Sequence, residues 1–271
     1  MKMLTVPSSN SGRSIGDVFL ALFSTVHLTR KSGLTAFLTH TNHAEVVSFF
    51  RKSLDLILLS DAAEKHARLL DTVNIHWNSG SWAERYPDIH NPWRYFLMNG
   101  IAPSSLSYEL PKASARIGGK SIVIFPERSD NGRLDDGLFA DFIGRATARG
   151  YTVYTNCYIN SNYVTSPAMP GTTPLAQLSL GEMIAIASEP SNILVGTRSG
   201  LFDVLYFVLP KAAARLLILY PPDPAWLWDA ARFQNETMRE KFQQFYVERE
   251  GVVELRTRDF NGEAFTLVAG E

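Results

Sequence analysis

Asn192-Ile193-Leu194-Val195, followed by Gly196-Thr197-Arg198-Ser199-Gly200-Leu201-Phe202-Asp203, is the stretch on which the fold turns. The apolar run reads as the end of a buried strand. Leu201, Val204, Leu205 and Val208 recur at helical spacing, so the turn before them opens a helix. The turn holds small hydroxyl residues, glycines and an arginine. A strand-to-helix turn of this composition offers unpaired backbone N–H groups at the positive end of a helix dipole, which suits a phosphate. The plain alternative is an ordinary turn in which Ser199 is only the helix N-cap, and pattern alone leaves both readings open.

Outward from this stretch the chain alternates strands and helices. Upstream, Ser121 to Pro126 reads as a buried strand, a helix announced by Asp135-Asp136 ends at Gly150, and Tyr151 to Thr155 is a strand. Ser179-Leu180-Gly181-Glu182 has capping-box spacing and starts a helix through Ala187. Downstream, Arg215 to Tyr220 is a strand stopped by Pro221-Pro222, and a helix is expected from about Trp226 to Val247. Val252 to Leu267 carries no pattern that places it. In the first part of the chain, strands are expected at Met3–Val6, Thr35–Thr39, Leu54–Leu59 and Val73–His76. Helical patterns run over Ile15 to Val26, Ala44 to Phe50 and Ala62 to Leu70. Alternation of this kind predicts parallel βαβ units, an α/β fold. The aromatic, proline-containing region from Trp77 to Gly118 breaks it. The expected domains are therefore residues 1–118 and 119–271, with the turn Ile117-Gly118-Gly119-Lys120 as a hinge.

Composition narrows the function classes. The 271 residues are 45% hydrophobic and 20% charged, the balance of a globular protein. A net charge of −1 gives no general drive toward nucleic acid. One cysteine, Cys157, precludes an internal disulfide framework and reads as a packed thiol in a reducing compartment. Pro7 to Gly12 interrupts any secretory signal, and no apolar run approaches the ~20 residues that span a bilayer. A cytoplasmic protein is expected, with peripheral contact to a membrane left open. Of six histidines, His40 and His43 form the one close pair, without a recognised metal spacing. There is no Asp-x-Asp dyad and no dinucleotide fingerprint or P-loop, so neither metal nor cofactor is expected.

Two further stretches carry candidate chemistry. In Ser11-Gly12-Arg13-Ser14-Ile15-Gly16-Asp17, Gly12, Ser14 and Gly16 form a tight loop after the first strand, and Asp17 lies in the first helical turn. A carboxylate there can accept a proton from an attacking hydroxyl, whereas Ser14-x-x-Asp17 equally matches a capping box. Glu127 and Arg128 follow the strand ending at Pro126, with Arg133 close behind. An arginine fork suits a diphosphate, and a solvated charged loop is the plain alternative.

Ser14 to Val18, Val123 to Arg133, Leu178 to Met183, Val195 to Asp203 and Leu219 to Pro224 together resemble the heptosyltransferase-like glycosyltransferases, the family of ADP-heptose:lipopolysaccharide transferases. The resemblance implies two Rossmann-like lobes facing a central cleft, the glycosyltransferase B arrangement, with a nucleotide sugar bound mainly by the second lobe. It implies that Asp17 is the base for the acceptor hydroxyl and that Thr197, Ser199 and Gly200 contact the diphosphate. Arg198 stands where the family has aspartate and Asp203 where it has histidine, so the charge order is reversed. Arg198 is then expected to stabilise the leaving diphosphate, and Asp203 to orient Arg198 or bind a sugar hydroxyl. Glu127, Arg128 and Arg133 complete the expected donor side. The reaction so implied is metal-independent hexosyl or heptosyl transfer from a nucleotide-diphosphate donor to a carbohydrate or glycolipid acceptor, in polysaccharide or lipopolysaccharide synthesis. A non-catalytic nucleotide-sugar binder and a nucleotide-sugar epimerase are the other readings.

Overall fold

The computed structural model describes residues 3–6, 35–39, 57–59, 72–74, 113–128, 132–157, 167–175, 178–197, 199–209, 214–220 and 251–270, with 19, 22, 46 and 48–50. The chain divides into two units, Met1–Pro111 with Trp228–Val247, and Lys112–Leu227 with Glu248–Glu271. The division thus falls at Pro111/Lys112 rather than at Gly118/Gly119, and the first unit takes a segment that sequence order places in the second.

In the first unit, β1 (Met3–Val6), β2 (Thr35–Thr39), β3 (Ile57–Leu59) and β4 (Thr72–Asn74) form an all-parallel sheet of order β3-β2-β1-β4. The first two strands match the expected limits, and the other two are shorter or shifted. Phe19, Leu22, Val46, Phe49 and Phe50 are buried, with the Phe19 and Phe50 rings 5.6 Å apart. The expected helices over 62–70 and 226–247 lie outside the described residues.

The second unit is built on six parallel strands: β5 (Ser121–Phe125), β8 (Thr152–Asn156), β9 (Thr173–Leu175), β10 (Ile193–Thr197), β11 (Arg215–Tyr220) and β12 (Val252–Arg256). Their order is β12-β11-β10-β5-β8-β9, every neighbouring pair parallel. Central β5 and β10 are buried along their whole length, as their unbroken apolar runs require when both sheet faces are covered. A small antiparallel hairpin, β6 (Glu127–Arg128) with β7 (Gly132–Arg133), follows β5. The fold is α/β, as the alternation predicts.

Four helices of this unit are described: α1 (Asp136–Ala148), α2 (Leu180–Ala187), α3 (Gly200–Val208) and α4 (Glu263–Ala269). Their ends follow from named residues. Asp135 caps α1 by accepting from Gly137 N at 3.0 Å. At its other end Gly150 (φ 78°) takes the left-handed conformation, with Gly150 N bonded to Thr147 O and Tyr151 N to Ala146 O, a Schellman turn. The capping box on α2 is complete: Glu182 N donates to Ser179 Oγ at 3.1 Å and Ser179 N to Glu182 Oε2 at 2.8 Å. The final segment, which the sequence leaves unplaced, supplies the outer strand β12, a 3-10 turn at Thr257–Asp259 and α4. Phe260, Ala264, Phe265 and Val268 enter the same core as Phe139, Phe142 and Ile143 of α1.

Candidate functional site at the carboxyl ends of β5 and β10

The strand order fixes where a ligand site forms. From β5 the chain moves one way to β8 and β9, then returns to the other side of β5 for β10, β11 and β12. The direction reverses between β5 and β10, and open parallel sheets bind ligands outside the carboxyl ends of strands at such a switch point. The residues there are Phe125 and Pro126 on β5's side, and Thr197, Ser199 and Gly200 on β10's.

The strand β10 runs two residues beyond the expected end at Val195, through Gly196 to Thr197. Gly196 pairs with Phe125 across the two strands. A Cβ at Gly196 would stand 2.8 Å from Phe202 Cε2, 2.9 Å from Phe125 Cβ and 3.0 Å from Phe125 O. The missing side chain thus lets β10, β5 and α3 close together, and the Phe125 and Phe202 rings meet edge to face at 5.7 Å.

Two hydroxyls at this end are uncommitted. Thr197 is 4% exposed, and among the described residues its Oγ1 is the one buried side-chain N or O atom without a hydrogen-bond partner. The other buried polar residues are satisfied. Asn192 accepts from Ser121 N and donates to Ile186 O, Ser121 Oγ donates to Gly118 O, and Thr155 Oγ1 accepts from Met169 N. Burying a hydroxyl unpaired costs about 1–3 kcal/mol, so an orphan beside a helix end calls for a reason. Ser199 holds the N-cap position of α3 with extended backbone, but its side chain makes no capping bond. The plain alternative of the sequence reading therefore has the right residue in the right place without the bond that defines it. The first-turn N–H groups of α3 receive nothing from Ser199.

Arg133 lies on the same sheet edge, at the end of the hairpin after β5. Its Nε and Nη2 donate to Asp136 Oδ1 at 3.0 and 2.7 Å, and its Nη1 donates to Pro167 O at 2.9 Å. Glu127 pairs with Arg133, and Arg128 with Gly132, through the hairpin backbone. The side chains of Glu127, Arg128 and Asp203 lie outside the described part of the structure, as do Gly12, Ser14, Gly16, Asp17 and Arg198 altogether. Thr197, Ser199 and Gly200 are brought together at the switch point, while Arg133 is bonded to Asp136 and to Pro167 O. The sequence reading misses the hairpin, because two-residue strands leave no periodic signal.

Cys157 is buried, its Sγ 3.4 Å from Thr155 O, as a packed thiol should be. Among the described residues no three His, Cys, Asp or Glu side chains gather in a way that could hold a metal. Among them, too, no helix is long and apolar enough to cross a membrane.

No protein-family model and no curated protein matches the sequence. Solved structures do match the fold. TibC, an iron-containing dodecameric glycosyltransferase from enterotoxigenic Escherichia coli, superposes with a TM-score of 0.58 at 11% identity, over 80% of this chain and 59% of TibC. A glycosyl transferase family 9 protein from Veillonella parvula gives 0.53 at 14% identity, over 95% of this chain and 86% of its own. The fold is that of the heptosyltransferase-like glycosyltransferases. TibC in complex with ADP-D-β-D-heptose gives 0.52 at 11% identity, over 93% of this chain and 62% of that one. The chain thus spans 59% and 62% of the two TibC chains.

Proposed function

We propose that this protein is a glycosyltransferase that moves a hexosyl or heptosyl group from a nucleotide-diphosphate donor to a carbohydrate or glycolipid acceptor, in the synthesis of lipopolysaccharide or another cell-surface polysaccharide. The observation that carries the reading is the unpartnered, buried Thr197 Oγ1 beside the uncapped first turn of α3, at the switch point of a six-stranded parallel sheet. A diphosphate supplies what those groups lack: acceptor oxygens and negative charge at the positive end of a helix. The fold shared with TibC, a protein solved with ADP-D-β-D-heptose, supports a nucleotide sugar as the source of that diphosphate.

In this reading Asp17 takes the proton of the acceptor hydroxyl as its oxygen attacks the anomeric carbon. The bond from that carbon to the diphosphate oxygen breaks, and the negative charge that grows on the diphosphate is met by the α3 amino end, Thr197, Ser199 and Arg198. Fixed dipoles and a guanidinium aimed at developing charge need no metal. Glu127 and Arg128 flank the donor, and Asp203 steadies Arg198 or a sugar hydroxyl.

Asp17→Asn should keep nucleotide affinity and lose turnover, and full turnover in that variant overturns the base assignment. Arg198→Ala should weaken binding of the nucleoside diphosphate, and unchanged affinity removes it from the donor side. Turnover should survive EDTA; a loss restored by iron, magnesium or manganese overturns the metal-free mechanism, iron being included because TibC contains it. Product formed only when acceptor is present separates transfer from epimerisation of the donor, and binding without either reaction identifies a carrier.

A further inference from the structure

We propose that Arg133 is a positioning residue that locks together the loops after β5 and β8, and not a ligand of the diphosphate. The inference rests on the donor site proposed above. All three guanidinium nitrogens are engaged within the protein. Nε and Nη2 converge on Asp136 Oδ1 in the first turn of α1, and Nη1 reaches Pro167 O across a separation of 34 residues. The side chain is 22% exposed and its charge is matched by Asp136. A guanidinium recognises phosphate through paired, parallel N–H groups, and here that fork is directed at a carboxylate and a carbonyl.

What the guanidinium joins is already anchored on each side. Leu134 N donates to Pro126 O at 2.8 Å, tying the hairpin's exit back to the end of β5. On the β8 side, Met169 N donates to Thr155 Oγ1 at 3.1 Å, Thr155 and Thr172 share a hydroxyl bond of 2.6 Å, and Thr172 Oγ1 donates to Met169 O. Cys157 N donates to Leu175 O, where β9 leaves the sheet. Arg133 bridges these two anchored groups. The segments it joins flank β5, the strand that forms one side of the switch point.

The partner Asp136 makes the idea testable by sign. If Arg133 bound the diphosphate directly, Asp136→Ala would release the guanidinium and remove a negative charge, leaving affinity unchanged or tighter. If Arg133 acts by position, Asp136→Ala must weaken binding as Arg133→Ala does. Calorimetry with ADP, UDP and GDP in turn, and with the matching monophosphates, reads the difference. The expected result is a loss of about tenfold for either variant, the scale of one charge-assisted hydrogen bond. The double variant should bind no worse than Arg133→Ala alone, and mono- and diphosphate affinities should fall in the same proportion. Arg133→Lys should not restore affinity, because one ammonium cannot span both partners.

Unchanged or tighter binding in Asp136→Ala, or rescue by lysine, overturns the proposal. If the wild-type protein binds none of these nucleotides, the proposed function fails, and hydrogen exchange decides on the joint by itself. Faster exchange over residues 168–175 in both single variants, with β5 and β10 unchanged, supports it, and unchanged exchange there overturns it.

Discussion

Thr197 is a residue whose environment satisfies shape and not chemistry. Its hydroxyl is buried at the end of β10 without a partner, whereas Ser121, Thr155 and Asn192, equally buried, are each bonded. Replacing an unpaired buried hydroxyl by a methyl removes a desolvation cost. Thr197→Val should therefore leave the free protein equally stable or stabilise it by up to about 1 kcal/mol, while weakening nucleoside diphosphate binding about tenfold. Thermal unfolding with and without nucleotide measures both; a variant that is destabilised and binds normally would show that the hydroxyl has a structural role. Gly196, one residue earlier, predicts the opposite pattern. A Cβ there meets Phe202 and Phe125 at 2.8–3.0 Å, so Gly196→Ala should cost about 1–3 kcal/mol of stability through overpacking. At this scale the sequence showed which residue types gather at the turn. It did not show that Thr197 lies unbonded while Ser199 forgoes its cap, since both depend on the neighbours that tertiary packing delivers.

Among the elements, those with chemistry at their ends were legible and those held only by their neighbours were not. Ser179-x-x-Glu182 announced α2, and Asp135 and Gly150 bracketed α1, because caps are local interactions written in adjacent residues. The strand β9, interrupted by Pro174, the two-residue hairpin and the half-exposed edge strand β12 carry no such signal; pairing with a neighbour creates them. The capping box on α2 has a pH signature. The bond from Ser179 N holds the Glu182 carboxyl below its ordinary value of 4.5, with further help from the Ser179 hydroxyl and Arg116 against the opposing effect of burial. A carboxyl whose folded pKa is lowered contributes stability that is fully present above about pH 4.5 and is lost as pH falls through the folded value. Glu182→Gln should accordingly be less stable than wild type at pH 7, with the gap closing on acidification. Denaturant unfolding at pH 7 and at pH 3 tests this, and a gap that stays constant would deny the charge its role. Ser179→Ala removes the reciprocal half of the box at a cost of about 1 kcal/mol at pH 7.

For the molecule as a whole, alternation of strands and helices announced two sets of parallel βα units, but the spatial order of the strands belongs to topology. That order matters most at β5 and β10, which are 72 residues apart at their starts (193 minus 121) yet neighbours in the sheet, so the switch point that positions the candidate site could not be read from either strand alone. The same holds for the carboxyl-terminal segment. Phe260, Phe265 and Val268 carry no long pattern, yet Phe265 packs edge to face with Phe142 and with Tyr151, and Phe260 packs at a tilt against Phe139 and Phe142. At the far end, Arg215 at the start of β11 donates to Val268 O at 2.9 Å, and Gly270 ends α4 in the left-handed conformation. The segment is thus one wall of the second unit's core rather than a tail. Phe265→Ala should cost about 3–5 kcal/mol, the range for emptying a buried aromatic position. Removing residues 257–271 takes Phe260, Ala264, Phe265 and Val268 out together and exposes the α1 face they cover, a loss comparable with the 5–15 kcal/mol that holds a typical domain folded. The truncated chain should lose its cooperative thermal transition and its affinity for nucleotide together. Retention of nucleotide binding by that truncation would show that the switch point is built without the last helix, and would confine the role of α4 to stability.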